Sequence, residues 1–130
     1  MFLLDTNAVI AALRGNADLL ARIRAHRPDE IAISSIVAHE LYYGAFRGRR
    51  LEENLASVDA LQFEVLDFDR EDSRCAGEIR AALASKGETI GPYDVLIAGQ
   101  ALSRGLILVT RNTREFSRIN DLRLEDWESQ

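Results

Sequence analysis

The sequence predicts an α/β domain with a central, mostly parallel sheet between two layers of helix. Short apolar runs alternate with longer stretches of helical period along all 130 residues, the order that parallel strands and crossover helices produce. Glycines follow three of the helical stretches, at Gly15, Gly87 and Gly105, where a left-handed residue commonly ends a helix. No repeat, low-complexity tract or long linker interrupts the pattern, so residues 1–130 read as a single domain.

Phe2–Leu4 is the first strand candidate, closed by Asp5. Helical stretches Asn7–Arg14 and Ala17–His26 follow, with Gly15 between them. Ile31–Ile33 is the second strand candidate, and Ser35–Phe46 and Arg50–Leu61 are the next helical stretches. Glu64–Phe68 is a third strand candidate, leading into the helical stretch Arg70–Lys86. There Asp69 and Asp72 have the spacing of an N-cap and an acidic N3 partner. Pro92 suits the first turn of a helix over Pro92–Arg104. Leu106–Val109 is the fourth strand candidate, and a weaker one lies near Leu122–Leu124.

Composition narrows the function. The residues are 47% hydrophobic and 28% charged, enough for a packed core in a soluble domain. The lone Cys75 excludes a disulfide framework within the chain and fits a reducing compartment. No apolar run approaches the ~20 residues of a membrane span, and the N-terminus lacks the basic lead of a signal peptide. A cytoplasmic location is expected. A net charge of −5 argues against general attraction to polyanions, although Arg47, Arg49 and Arg50 form one local basic group and Arg111, Arg114 and Arg118 another.

Asp5, Glu40 and Asp94 stand where apolar residues would be expected. Asp5 ends an apolar strand, and open α/β sheets bind ligands beyond the carboxyl ends of their strands. At ~100° per residue, Glu40 falls within the arc of Ile36, Val37, Leu41 and Gly44, and Asp94 within that of Val95, Ile97, Ala98, Ala101 and Leu102. Each acid has an ordinary reading. Asp5 can cap the helix that follows, Asp94 can serve a helix dipole, and Glu40 can pair with a buried arginine such as Arg80. Jointly they converge on one edge of the sheet, and uncompensated carboxylates near a core cost several kcal/mol. A divalent cation would hold them together. Carboxylates without thiolate, in a chain with only His26 and His39, favour Mg²⁺ or Mn²⁺ over zinc. Phosphodiester hydrolysis is the natural reaction of such a site.

The motifs Leu4-Asp5-Thr6-Asn7, Ile33-Ser34-Ser35 leading to Glu40-Leu41-x-x-Gly44, and Ile90-Gly91-Pro92-Tyr93-Asp94-x-x-Ile97-Ala98 resemble the PIN-domain ribonucleases. Leu108-Val109-Thr110-x-Asn112-Thr113-Arg114-Glu115-Phe116 and Glu125-Asp126-Trp127 extend the likeness over the whole chain, closest to the VapC toxins of bacterial type II toxin–antitoxin systems. The resemblance implies a three-layer α/β/α PIN fold and a Mg²⁺-dependent endoribonuclease that arrests translation by cutting structured RNA such as tRNA. It implies a homodimer within a larger complex, inhibited by a VapB-type antitoxin through which operator DNA is reached. Asp5, Glu40 and Asp94 become the metal-binding, catalytic acids, with Thr6, Thr110 and Asn112 in support. Many PIN domains carry a fourth acid after the strand ending here in Thr110; this chain has Asn112 there, with Glu115 three residues on.

The likeness also makes Arg111, Arg114 and Arg47 phosphate contacts, while Arg118 reads as structural. His39, Tyr42, Tyr43 and Phe46 form a stripe at helical spacing, read as a core or partner seam rather than a base-stacking platform. A phosphotransferase using Asp5 as nucleophile is disfavoured, because Asn7 stands where haloacid-dehalogenase enzymes need a second Asp. A degenerate, non-catalytic PIN interaction module is the alternative from another class.

Overall fold

A computed structural model describes residues 1–128. Five parallel strands, β1 (Phe2–Leu4), β2 (Ile31–Ser34), β3 (Glu64–Leu66), β4 (Ile107–Val109) and β5 (Leu124–Glu125), form one sheet in the order β3-β2-β1-β4-β5. Phe2 pairs with Ile31 on one side and Ile107 on the other, and Leu4 with Ile33 and Val109. From the central β1 the chain builds outward through β2 and β3, then returns to lay β4 and β5 on the opposite side. The switch in direction therefore lies between β1 and β4, where an open α/β sheet leaves a crevice beyond its carboxyl ends. Asp5 and Thr110 are the first residues past those two strands.

Consecutive residues on the inner strands are buried, Leu3 with Leu4, Ala32 with Ile33, and Leu108 with Val109. Side chains of a strand alternate between faces, so both faces of the sheet are covered, as parallel sheets require. The covering helices are α1 (Thr6–Leu13), α2 (Ala17–Arg24), α3 (Ser35–Arg47), α4 (Leu51–Asp59), α5 (Arg70–Ser85), α6 (Pro92–Ser103) and α7 (Thr113–Phe116). Their starts follow the sequence closely. Asp5, Asn16 and Ser34 accept from backbone N–H groups in the first turns of α1, α2 and α3, and Asp69 with Asp72 forms a reciprocal capping box on α5. Gly15, Gly87 and Gly105 adopt the expected positive φ values of 82, 68 and 65°.

Four elements differ from expectation. Helix α6 has no single apolar face: Val95 and the run from Ile97 to Ala101 are buried, because the sheet lies on one side and α5 presses on the other. A Cβ placed on Gly99 would lie 2.5 Å from that of Ala76 on α5, too close for any larger side chain. Strand β5 starts two residues later than expected, where Leu124 and Glu125 pair with Leu108 and Val109. Helix α7 and a 3-10 turn over Pro28–Glu30 are too short to show a period in the sequence.

The C-terminal segment is pinned by Trp127, which is 1% exposed. Its ring stacks on His26 at 5.1 Å and tilts against Phe2 at 5.0 Å, while Arg22 lies over it. Its indole N–H donates to Glu125 Oε1, which also pairs with Arg22. Among the described residues no helix is long and apolar enough to cross a membrane.

Candidate functional site

Asp5 leaves β1 and caps α1, its Oδ1 accepting from Ala8 N at 2.8 Å. The residue is 3% exposed. Burial raises its carboxyl to a pKa of about 6. The Thr110 hydroxyl and Ala8 N–H work against that rise, and the charges of Asp94 and Glu128 add to it. The helix-capping reading is thus correct but incomplete, because a cap alone does not need a dry position among other acids. Thr110, itself buried, serves Asp5 directly.

Asp94 is the third residue of α6, after Pro92 at its start. Burial raises its pKa first, then the charges of Glu40 and Glu115. A Cβ on Gly91 would come within 3.2 Å of Asp94 Oδ2, so glycine keeps the space beside this carboxylate open. Glu40 projects from α3 at the border of the core rather than at its middle. Val37, Leu41 and Ala45 are buried, whereas Glu40 is half-buried and Gly44 exposed. The suggested pairing of Glu40 with Arg80 is absent: Arg80 is exposed, and Glu40 Oε1 accepts from Thr6 Oγ1 at 2.7 Å. Thr6 therefore ties the start of α1 to α3 and fixes the Glu40 head group.

Two further acids join this group. Asn112 donates from Nδ2 to Glu115 Oε2 at 2.8 Å, and its backbone N–H donates to Thr110 Oγ1 at 3.0 Å. The amide thus steers a carboxylate one turn further along α7, and Glu115 acts electrostatically on Asp94. Spacing held a clue, since Asn112 and Glu115 lie three residues apart on a helix start. Glu128 acts on Asp5. No local signal marked it; docking of Trp127 onto α2 puts it there.

Asp5, Glu40, Asp94, Glu115 and Glu128 thus form a coupled acidic centre at the carboxyl edge of the sheet. None of these five acids takes part in an ion pair among the described residues. Among the described residues no three Asp, Glu, His or Cys side chains stand close enough together to hold a metal ion. The centre is open and short of positive charge.

Arginines stand nearby. A groove of about 720 Å³ is lined by Arg14, Arg111, Asn112 and Glu128. A second, of about 420 Å³, is lined by Arg14, Glu40, Arg47 and Asn54. Arg47 lies over the Tyr43 ring at 5.3 Å. Arg114 is exposed on α7, in neither groove. Arg118 donates to Thr89 O at 3.3 Å, in keeping with its structural reading. His39, Tyr42, Tyr43 and Phe46 are exposed, so the stripe is a surface and not core.

Comparison with known proteins identifies the family of the fold. The PIN domain family model matches residues 2–122. A protein of Salmonella typhimurium described as "tRNA(fMet)-specific endonuclease VapC" is 44% identical, with 97% of each chain covered. A crystal structure of DNA-bound VapBC from the same organism superposes with a TM-score of 0.92, at 45% identity and 97% coverage of both chains. VapBC2 from Rickettsia felis, bound to a promoter DNA fragment, gives 0.91 at 35% identity, covering 97% of this chain and 98% of its own. With its parallel sheet, its acids past β1 and at the start of α6, and these relatives over nearly its full length, the chain belongs to the PIN-domain family as a VapC-type protein.

Proposed function

We propose that this protein is an endoribonuclease toxin whose acidic centre binds Mg²⁺, or Mn²⁺, and hydrolyses RNA phosphodiester bonds. One observation carries the reading: Asp5 and Asp94 are held in a partly dry site, raised in pKa by burial and by the charges of neighbouring acids, with no ion pair to either among the described residues. Such a group stores repulsion that a bound cation relieves. The donors fit a hard cation, since all are carboxylates. Their openness also suits Mg²⁺, which usually takes one or two carboxylates and completes its shell with water and phosphate oxygens.

Asp5, Glu40 and Asp94 are the proposed ligands and catalytic acids, and Glu115 takes the part of the fourth acid in place of Asn112. When bound, the cation supplies Lewis acidity toward the phosphoryl group and acidifies water. The chain's own polar groups do the positioning. Thr110 and Ala8 N–H hold Asp5, Thr6 holds Glu40, and Asn112 holds Glu115. Arg111 and Arg47 face the grooves beside the acids and are suited to phosphate oxygens; Arg114 is a weaker contact, being outside both.

The Salmonella relative supports structured RNA, tRNA above all, as substrate; arrest of translation is the proposed consequence of cutting it. The DNA-bound VapBC structures support a VapB-type antitoxin as partner in a complex that meets DNA; a toxin dimer inside that complex and access to operator DNA through the antitoxin are part of the same proposal. The exposed Tyr42, Tyr43 and Phe46 offer the antitoxin an apolar surface.

The test uses toxin freed of antitoxin and incubated with total cellular RNA and with initiator tRNA. Cleavage in Mg²⁺ or Mn²⁺, its loss in EDTA, and its loss in a folded Asp94→Asn variant are expected. Intact RNA in every condition with either cation would overturn the nuclease and leave a non-catalytic interaction module.

A further inference from the structure

The two grooves described above share Ile10 and Arg14, and neither motif nor charge pattern singled out the charged one. Arg14 lines both, beside Arg111 and Asn112 in one and beside Glu40 and Arg47 in the other. It is the C-cap of α1, the helix whose opposite end is capped by Asp5. Its backbone is nearly helical, with φ −83 and ψ −2°. Helical side chains lean toward the N-terminus of their helix, and Arg14 shares its grooves with Glu128 and Glu40 of the acidic centre. The helix rises ~1.5 Å per residue, which puts the Arg14 backbone on the order of 13 Å from Asp5. A long side chain shortens that gap without closing it.

Arg14 is also unengaged, unlike six of the other arginines. Arg22, Arg27, Arg50 and Arg104 are engaged in ion pairs, and Arg118 and Arg123 donate to backbone carbonyls. No ion pair or side-chain hydrogen bond of Arg14 occurs among the described residues, although Glu40 and Glu128 line the same grooves. An arginine at a helix C-terminus is favourable to the helix dipole, which accounts for a charge at this end but not for a place in both grooves.

We propose that Arg14 is a phosphate-anchoring residue for the RNA, holding a phosphate next to the one that is cut as the strand passes from one groove to the other. The proposal rests on the nuclease reading and adds the path of the substrate. At this distance Arg14 acts on binding rather than on the reacting phosphate. Its loss therefore raises KM and leaves kcat within about twofold, unlike loss of an acid.

The experiment compares Arg14→Gln, Arg14→Lys and, as a control on α2, Arg24→Gln. Binding of a fluorescein-labelled single-stranded RNA of about ten nucleotides is followed by anisotropy across salt concentrations, in an Asp94→Asn background to prevent cleavage. Each phosphate contact on a single strand contributes ~0.7 to the slope of log affinity against log salt. Arg14→Gln should weaken binding roughly five- to tenfold and lower that slope by about one contact. Arg14→Lys should keep the slope, and Arg24→Gln should change neither. A parental slope in Arg14→Gln, or a slope lost equally in Arg14→Lys, would overturn the anchoring role. Cleavage by the parent with an unchanged KM in Arg14→Gln overturns it too, while leaving the nuclease intact. A parent that neither binds nor cleaves RNA overturns the nuclease reading and this one with it.

Discussion

Asp72 and Asp94 occupy the same position, the third residue, of two helices that pack directly on one another. Their surroundings are opposite. Asp72 is 0% exposed and accepts from Asp69 N, Gln100 Nε2, Ser103 Oγ and two nitrogens of Arg104. Burial alone would raise its pKa, but the Arg104 bond and the neutral donors outweigh it and hold the carboxyl at about 2. No hydrogen bond to the Asp94 side chain occurs among the described residues. Burial and two like charges push its pKa up. Asp72 is a completed strut between α5 and α6, and Asp94 is an acid left wanting a cation. Burial is common to both; the supply of donors separates structural acids from chemical ones.

The sharpest way to break this comparison is to neutralise each member. Asp94→Asn should lower RNA cleavage about a thousandfold, or ~4 kcal/mol of transition-state stabilisation, with no loss of thermal stability. Asp72→Ala should do the reverse. Removing one partner of a buried pair typically costs roughly 3 kcal/mol or more, and here it strips the partners of Arg104, Gln100 and Ser103 together. Chemical denaturation should show the loss, while cleavage per folded molecule stays near parental. A stable, inactive Asp72→Ala protein would mean that this acid serves the chemistry after all.

Acidity sharpens the contrast, because the two kinds of acid act on stability with opposite sign. The lowered pKa of Asp72 contributes stability above its unfolded value near 3.8, lost as pH falls toward about 2. The raised pKa of Asp5 works the other way. Its contribution is fully present below 3.8 and is lost as pH rises through about 6. Metal-free protein should therefore lose stability between pH 4 and 7 by an amount on the order of 2 kcal/mol. Asp5→Asn keeps an acceptor for Ala8 N–H and should flatten that slope. Denaturation midpoints measured in EDTA across this range decide the matter, and an unchanged slope in the variant would place the repulsion elsewhere.

Much of the fold was legible because it is written locally. Strand β1 is an apolar run closed by Asp5, the caps at Asn16, Ser34 and Asp69 are side chains beside their own helices, and glycines mark the ends. The three acids were legible from their motifs. What stayed hidden depends on contacts between distant segments. The bond from Thr6 to Glu40 spans 34 residues. Glu128 reaches Asp5 because Trp127 packs on Phe2 and His26. Periodicity also failed for α6, since a helix buried on two sides has no polar face to reveal its orientation.

Asn112 gives the finest test, because sequence and structure assign it different work. As a stand-in for a missing acid, it should be improved by charge, and Asn112→Asp would then raise activity. In the structure its side chain is a donor, with Nδ2 on Glu115 Oε2 at 2.8 Å. Aspartate cannot donate there when ionised and would set two carboxylates against each other. Both Asn112→Asp and Asn112→Ala should therefore reduce cleavage, by about tenfold, the lower range for removing the partner that orients a metal-binding group. The aspartate variant should be the worse of the two at low Mg²⁺ and should recover part of its deficit as Mg²⁺ is raised, because added cation offsets the added repulsion. Cleavage rates across a Mg²⁺ series measure this directly. An aspartate variant more active than the parent at every concentration would return the fourth acidic position to residue 112 and reduce Glu115 to a bystander.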